Sequence, residues 1–347
     1  MPLKEIPAIS VVIPMYNVEK YIGDCLDSLL NQTFQDFEVI VVDDCSTDLS
    51  VAVVESYAEK FGGRLKLTKT LKNMGGGGLP RNKGMELSRG EYFFFLDADD
   101  LITPTALAEL YELAEHYQAD VIHSEKFIAT DEYGKNLKLM NYLTDENICK
   151  NAPCALKNDF EERIKFFVQR KLMWNVVLQL IRRDFVMENR IRFCDIYAED
   201  MLFTICEVCC AKKYIVVPNV IYFYRIRHGS STTSQINAQE IIHRQSKALV
   251  CGIKYLDKFL GNRDFFSTRP DLKYLLFNMF AGELISQFYK IYAQIPASDL
   301  DELFRKELGG ENIALSSFCL NSMILQRFQL MQTQYQFNQL AAQIRQQ

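Results

Sequence analysis

Asp97, Ala98, Asp99 and Asp100 follow directly on the apolar run Tyr92 to Leu96, so a short turn carries hard carboxylate oxygens out of a buried strand. Such a turn can hold Mn2+ or Mg2+ against a substrate diphosphate, and it can equally cap a helix starting near Pro104. Two more acid pairs sit in comparable places. Asp43 and Asp44 end the run Phe37 to Val42, and Glu199 with Asp200 stands in YAEDMLF, where charge stabilisation of a helix N-terminus is the competing use. The loop NMGGGGLP is followed by Arg81, whose planar fork can grip a phosphate bidentately or simply lie exposed at a helix start. No GK[ST] follows those glycines and the GxGxxG spacing is missing, which excludes a Walker loop and a dinucleotide fold. His228, beside the polar GSSTTS, offers an imidazole to a metal or diphosphate, against the plainer use of a surface histidine on a linker. Cys206, Cys209 and Cys210 suit one helix face better than a zinc site, since no second CxxC or histidine pair completes four ligands.

The acids need a scaffold that brings strand ends together. Ile9 to Ile13 reads as a β-branched strand, and Glu19 to Leu30 as a helix with Ile22, Leu26, Leu29 and Leu30 on one side. Phe37 to Val42 repeats the strand, and Ser46 to Asp48 is expected to cap a helix running towards Phe61. Leu65 to Lys69, Arg81 to Ser88 and Tyr92 to Leu96 continue as strand, helix and strand. Alternation of this kind implies an α/β fold with a mostly parallel sheet, whose carboxyl-end crevice takes ligands. Thr105 to Tyr117 reads as helix and Asp120 to Phe127 as strand, so the α/β region is expected to reach about residue 235, in halves of about 8–104 and 105–235. Beyond it, residues 236–347 read as a helical domain, with patterns at Ala238 to Leu260, Asp271 to Ala293, Ser298 to Leu308 and Ser322 to Gln343.

Composition narrows the function classes. At 48% hydrophobic and 24% charged, the chain of 347 residues is too apolar for disorder. Lys+Arg 39 against Asp+Glu 44 leaves a net charge of -5, which excludes a broad nucleic-acid surface. Pro7 and Pro14 interrupt the apolar N-terminal stretch, which therefore resembles a strand more than a signal peptide, and no run reaches the roughly 18 apolar residues that cross a bilayer. Ten cysteines without an export signal read as reduced thiols, and the expected location is cytoplasmic. Arg244, Lys247, Lys254 and Lys258 beside apolar Leu275, Leu276, Met279, Phe280 and Leu284 leave two uses open for the helices: packing, with homo-oligomerisation, or peripheral contact at the inner face of a membrane.

SVVIPMYN, SLLNQTFQDFEVIVVDDCSTDLS and NMGGGGLPRNKGMELSRGEYFFFLDADD, in that order and spacing, resemble the family 2 glycosyltransferases over about residues 8 to 104. Trp174-Asn175, YAEDMLF and YFYRIRHGSST resemble that family's acceptor-side and end-of-domain motifs. The resemblance implies a GT-A fold and transfer of a sugar from a nucleotide diphosphate, usually UDP, to a glycan or lipid-linked glycan hydroxyl, with inversion. It assigns Pro14, Tyr16, Asn17, Asp44, Asp97 and Ala98 to the nucleotide sugar, Asp99 to Mn2+ or Mg2+, Trp174 and Glu199 to the acceptor, and Asp200 to the base; the chemistry of the residues adds Arg81 to the nucleotide-sugar set and His228 to the metal. Two departures stand out: Gly75 to Gly78 replaces a more mixed stretch, and Gln179 to Arg183 reads QLIRR without the QxxRW of processive synthases, which favours transfer of a single sugar. The reading from another class is a non-catalytic nucleotide-sugar-binding or scaffold protein with the same fold, which the intact acids oppose.

Overall fold

The computed structural model describes residues 6–133, 135–141, 149, 151–169, 172, 174–227 and 238–292. His228, the GSSTTS segment and the helical patterns at 298–308 and 322–343 lie outside the described residues. The chain divides into two compact units, Met1–Asp195 with Glu199–Ser234, and Ile196–Ala198 with Gln235–Gln347.

In the first unit the regular βα units come first: β1 (Ile9–Met15), α1 (Ile22–Leu30), β2 (Phe37–Asp43), α2 (Ser50–Ser56), β3 (Leu65–Lys69), α3 (Gly78–Leu87) and β4 (Tyr92–Phe95). These strands lie parallel in the order β3-β2-β1-β4, and both faces of β1 and β2 are covered, which is why they read as continuous apolar runs. Met15 pairs with Asp43, so the exits of β1 and β2 open at one level. Ile22, Cys25, Leu26 and Leu29 form the buried stripe of α1. The helix expected as far as Phe61 stops at Ser56, and its N-cap residue is Leu49, because Asp48 instead accepts from the Ser50 N–H and hydroxyl. Gly62 and Gly63, with φ of 57° and 84°, then reverse the chain into β3. At Gly84 a Cβ would stand 2.3 Å from Val12 Cγ1, so only glycine lets α3 lie this close to β1.

The rest of the unit is less regular. It comprises β5 (Leu101–Ile102), α4 (Ala106–Tyr117), β6 (Val121–Thr130), β7 (Asn136–Asn141), β8 (Cys154–Ala155), α5 (Phe160–Val168), a 3-10 turn at Val176–Leu178, β9 (Gln179–Arg182), α6 (Arg183–Glu188), α7 (Glu199–Cys210) and β10 (Tyr214–Arg225). β9 enters antiparallel between β4 and β6, and the sheet continues through β10 to β5, with β7 on β6 and β8 on β10. The mostly parallel α/β fold expected from the sequence is therefore present, with antiparallel strands added in its second half. Phe193 stacks on Phe203 at 4.2 Å and meets the edge of Phe95 at 5.2 Å, which joins β4, α7 and the segment before α7 under one aromatic floor.

Residues 238–292 of the second unit are helical: α8 (Ala238–Gly261), α9 (Asp264–Thr268) and α10 (Pro270–Tyr292). Leu249, Ile253, Leu256 and Leu260 of α8 are buried, as are Leu276, Phe280 and Leu284 of α10, so their apolar faces are core-facing. Gly252 carries no side chain because a Cβ would meet Phe280 Cζ at 2.4 Å. No described helix is long and apolar enough to cross a membrane.

Candidate active site

Two exit loops at the carboxyl ends of β1 and β2 are tied to each other by side chains. Asn17 sits at φ 49°, a left-handed position that asparagine tolerates, and its Oδ1 accepts the Thr47 N–H at 2.8 Å. Its own N–H donates to Ser46 Oγ at 3.0 Å, and the next N–H, of Val18, donates to Ser50 Oγ at 2.8 Å. Pro14 is half-buried, while Tyr16 beside it is 47% exposed, an open aromatic face on the crevice side of β1. Asp44 is buried, and its carboxylate accepts Thr70 Oγ1 at 2.7 Å and the Met74 N–H at 2.9 Å. Those bonds fix the carboxylate plane and the start of the glycine loop, and a carboxylate retains further lone pairs for a ligand.

The turn after β4 is denser. Tyr222 on β10 donates its hydroxyl to Asp100 Oδ2 at 2.8 Å and accepts the Asp97 N–H at 3.3 Å, and the Arg225 N–H donates to Asp100 Oδ1 at 2.7 Å. Asp100 thus anchors the turn to β10, whereas the N-cap position of α4 is Thr105 without a side-chain cap; the helix-cap use of Asp99 or Asp100 is not the one found. Asp99 Oδ2 accepts Arg227 Nε at 2.6 Å. Desolvation, with repulsion from Asp97, raises the Asp99 pKa although Arg227 pulls it down, and desolvation with repulsion from Asp99 and Asp97 raises Asp100 well above its ordinary value. Ala98 is buried between the two acids.

Arg81 joins this turn to a helix far along the chain. Its Nη2 lies 2.7 Å from Asp97 Oδ1, and its Nη1 lies 3.2 Å from Glu199 Oε1 and 3.1 Å from Asp200 Oδ1 in the first turn of α7. The guanidinium is buried and stands 5.4 Å above the Phe193 ring. The arrangement differs from both sequence expectations for Arg81: it is neither exposed nor an open fork for phosphate, because its terminal donors are on carboxylates. Desolvation opposes its charge, yet Asp200, Asp97 and Glu199 outweigh that and raise its pKa. Glu199, assigned to the acceptor, is likewise held by Arg81. Asp200 keeps 25% of its side-chain surface open, and its surroundings still push its pKa up to about 7. Desolvation leads that shift, Glu199 and Asp97 add repulsion, and Arg81 opposes it. A carboxyl so placed can take a proton near neutral pH. Trp174 is half-buried just before the 3-10 turn, and Asp44, at the end of β2, is bonded to Thr70 and to Met74 at the start of the glycine loop; neither joins the Arg81 cluster.

Carboxylates that repel one another in a desolvated turn are suited to a divalent cation, which relieves the repulsion. Among the described residues no group of three or more His, Cys, Asp or Glu side chains is placed to hold a metal ion by itself. That donor set fits Mg2+ or Mn2+ bound through one or two carboxylates with the remaining positions left to substrate phosphate and water, and not an all-protein cage.

Tyr222, Arg225 and Arg227 are not singled out by the sequence as individuals, although all three lie in YFYRIRHGSST; the two arginines at alternate positions near a strand end are the local signal, and their acidic partners are more than a hundred positions away. Residues 10–180 match the family described as glycosyl transferase family 2. The poly(ribitol-phosphate) beta-glucosyltransferase of Bacillus spizizenii is 34% identical over 231 residues, 65% of this chain and 33% of that protein. The poly(ribitol-phosphate) beta-N-acetylglucosaminyltransferase TarS of Staphylococcus aureus is 28% identical over 260 residues, 74% of this chain and 42% of that protein. The chain therefore spans between a third and a half of these two curated relatives. The structure of S. aureus TarS 1-349 in complex with UDP superposes with a TM-score of 0.65 at 20% identity, covering 95% of this chain and 91% of that one, a likeness of fold.

Proposed function

The chain belongs to glycosyl transferase family 2 through residues 10–180, and from that membership we propose that it moves a single sugar from a UDP-sugar to an acceptor hydroxyl, with inversion, in the making of a cell-surface glycan. The observation that carries this reading is the Arg81 bridge, which gathers the acid at the end of β4 and the acid at the start of α7 at the crevice of a parallel sheet. Pro14, Tyr16 and Asn17 border the nucleotide, Asp44 receives a base N–H, and Asp97 and Ala98 lie along the ribose and sugar. Asp99, with His228, would hold Mn2+ or Mg2+, which when bound would supply charge stabilisation for the leaving diphosphate. Trp174 flanks the acceptor.

In the reaction the acceptor oxygen forms its bond to the anomeric carbon as the bond to the diphosphate oxygen breaks, and the acceptor proton passes to an Asp200 carboxylate oxygen. In-line displacement puts base and leaving group on opposite faces of the sugar, which yields inversion. Arg81 acts as a positioning residue: it holds Asp200 at a set distance from Asp97 and opposes the protonation that burial favours. The names of the relatives support surface-polymer synthesis, and a nucleotide-sugar donor supports a cytoplasmic location. Residues 236–347 form a unit for acceptor or partner, with homo-oligomerisation and peripheral membrane contact as its two uses.

The test is calorimetric titration of UDP with and without Mn2+, together with transfer from a panel of UDP-sugars by the wild type and Asp200→Asn. UDP binding that needs the metal, with transfer lost only in the variant, is the expected result. UDP binding without transfer from any donor would favour the non-catalytic binding protein.

A further inference from the structure

A cavity of about 390 Å³ opens on the flank of α1, beside the turn that Asp100 anchors. Asp24, Asp27, Ser28 and Asn31 form one wall, a single helical face at spacings of three and four. Leu101 and Ile102 of β5, Pro104 and Phe223 of β10 form the facing wall, and Tyr133, 87% exposed, stands at the rim. Arg225 is the cavity's cation. It is 3% exposed at its side chain, its Nη2 pairs with Asp24 Oδ2 at 2.9 Å, and among the described residues its buried Nε–H has no acceptor. Asp44, Asp97, Asp99 and Asp200 do not line this space.

The lining selects a chemistry. Two carboxylates against one guanidinium that is already paired repel a phosphate or a nucleotide. Carboxylate and amide oxygens on one side accept hydroxyl protons, while the apolar wall and two aromatic rings cover a C–H face. The volume suits one sugar-sized unit. The cavity also leads towards the acidic turn: Arg225 and Arg227, the partner of Asp99, both lie 5.1 Å from the ring of Tyr21.

We propose that this cavity is a second saccharide site, taking a neutral sugar or polyol unit of the acceptor chain at a distance from the unit that is glycosylated. The inference rests on the glycosyl-transfer reading for the word acceptor, and on the cavity alone for the saccharide. Such a subsite anchors the acceptor through a unit that does not react, so its loss raises KM for a long acceptor more than for a short one.

The test is saturation-transfer NMR on the full chain with methyl β-D-glucopyranoside, methyl β-D-galactopyranoside and ribitol as probes, with UDP and diamagnetic Mg2+ present throughout. At least one probe is expected to receive saturation, and Asn31→Ala with Tyr133→Ala is expected to weaken its binding at least about fivefold, the loss of one hydrogen bond and a stacking face. Asp27→Asn, a smaller change checked by thermal melting against the wild type, is expected to weaken it in the same direction. Calorimetric affinity for UDP should be unchanged in all three proteins. No saturation of any probe, or saturation equal in wild type and variants, overturns the site. Failure of UDP itself to bind counts against the donor reading, and the probe result then decides the cavity on its own.

Discussion

The first turn of α7 and its interior carry the same functional group in opposite settings. Asp200 faces the crevice, shares Arg81 with Glu199 and Asp97, and is left titrating at about 7. Glu207, two turns on, is fully buried, and among the described residues neither carboxyl oxygen has a hydrogen-bond partner. Desolvation raises its pKa well above the ordinary value and the Asp200 charge adds to the rise; no cation opposes that, and only the nearby Gln179 amide acts against it. That amide also turns Nε2 to Tyr214 Oη at 3.2 Å, in a layer where burial lowers the His123 pKa to about 3, so the imidazole carries no proton charge. A buried acid with a cation beside it and solvent in front stays usable near neutral pH, whereas one with neither becomes a protonated core group.

Removing the reactive group at the crevice end breaks the comparison most directly. Asp200→Asn should lower the transfer rate about 100- to 10,000-fold, the range of a general base, with UDP affinity unchanged by calorimetry. Arg81→Met leaves three carboxylates facing one another, and chemical denaturation should show a loss of about 3–5 kcal/mol, as when one partner of a buried pair is taken away. Asp99→Ala should abolish the response of UDP binding to Mn2+, measured with and without chelator; equal affinities in the wild type would remove the cation from this turn.

The remaining predictions are smaller and concern pH. If Asp200 must be ionised to act, the transfer rate should rise with pH through about 7 and then level, and Arg81→Lys, with a weaker hold, should move that limb upward. Glu207 has a folded-state pKa above its unfolded one, so its stabilising contribution is complete below the ordinary glutamate range and is lost as pH rises towards the folded value. Glu207→Gln should therefore melt within a few degrees of the wild type at pH 5 and gain on it at pH 8. A variant that loses ground as pH rises would mean that Glu207 is ionised in the native state.

The strands that read as unbroken apolar runs, β1, β2 and β4, were legible because burial on both faces demands that composition wherever they lie, and the acids at their ends were legible because a strand end needs no apolar residue. The apolar stripe of α1 followed from its 3.6-residue period. These are local constraints, written within a dozen residues. Three features were not local. Arg81 meets Glu199 and Asp200 118 and 119 positions away, Arg227 meets Asp99 128 positions away, and β9 slips antiparallel between β4 and β6. Whether an arginine holds a phosphate or a carboxylate depends on which charges the fold sets within a few ångströms of it, and Coulomb's law acts on that distance alone. The parallel sheet and the acids at its edge follow from local patterns of residues; the folded arrangement sets which of those acids share a cation, and so which one can give up its proton at neutral pH.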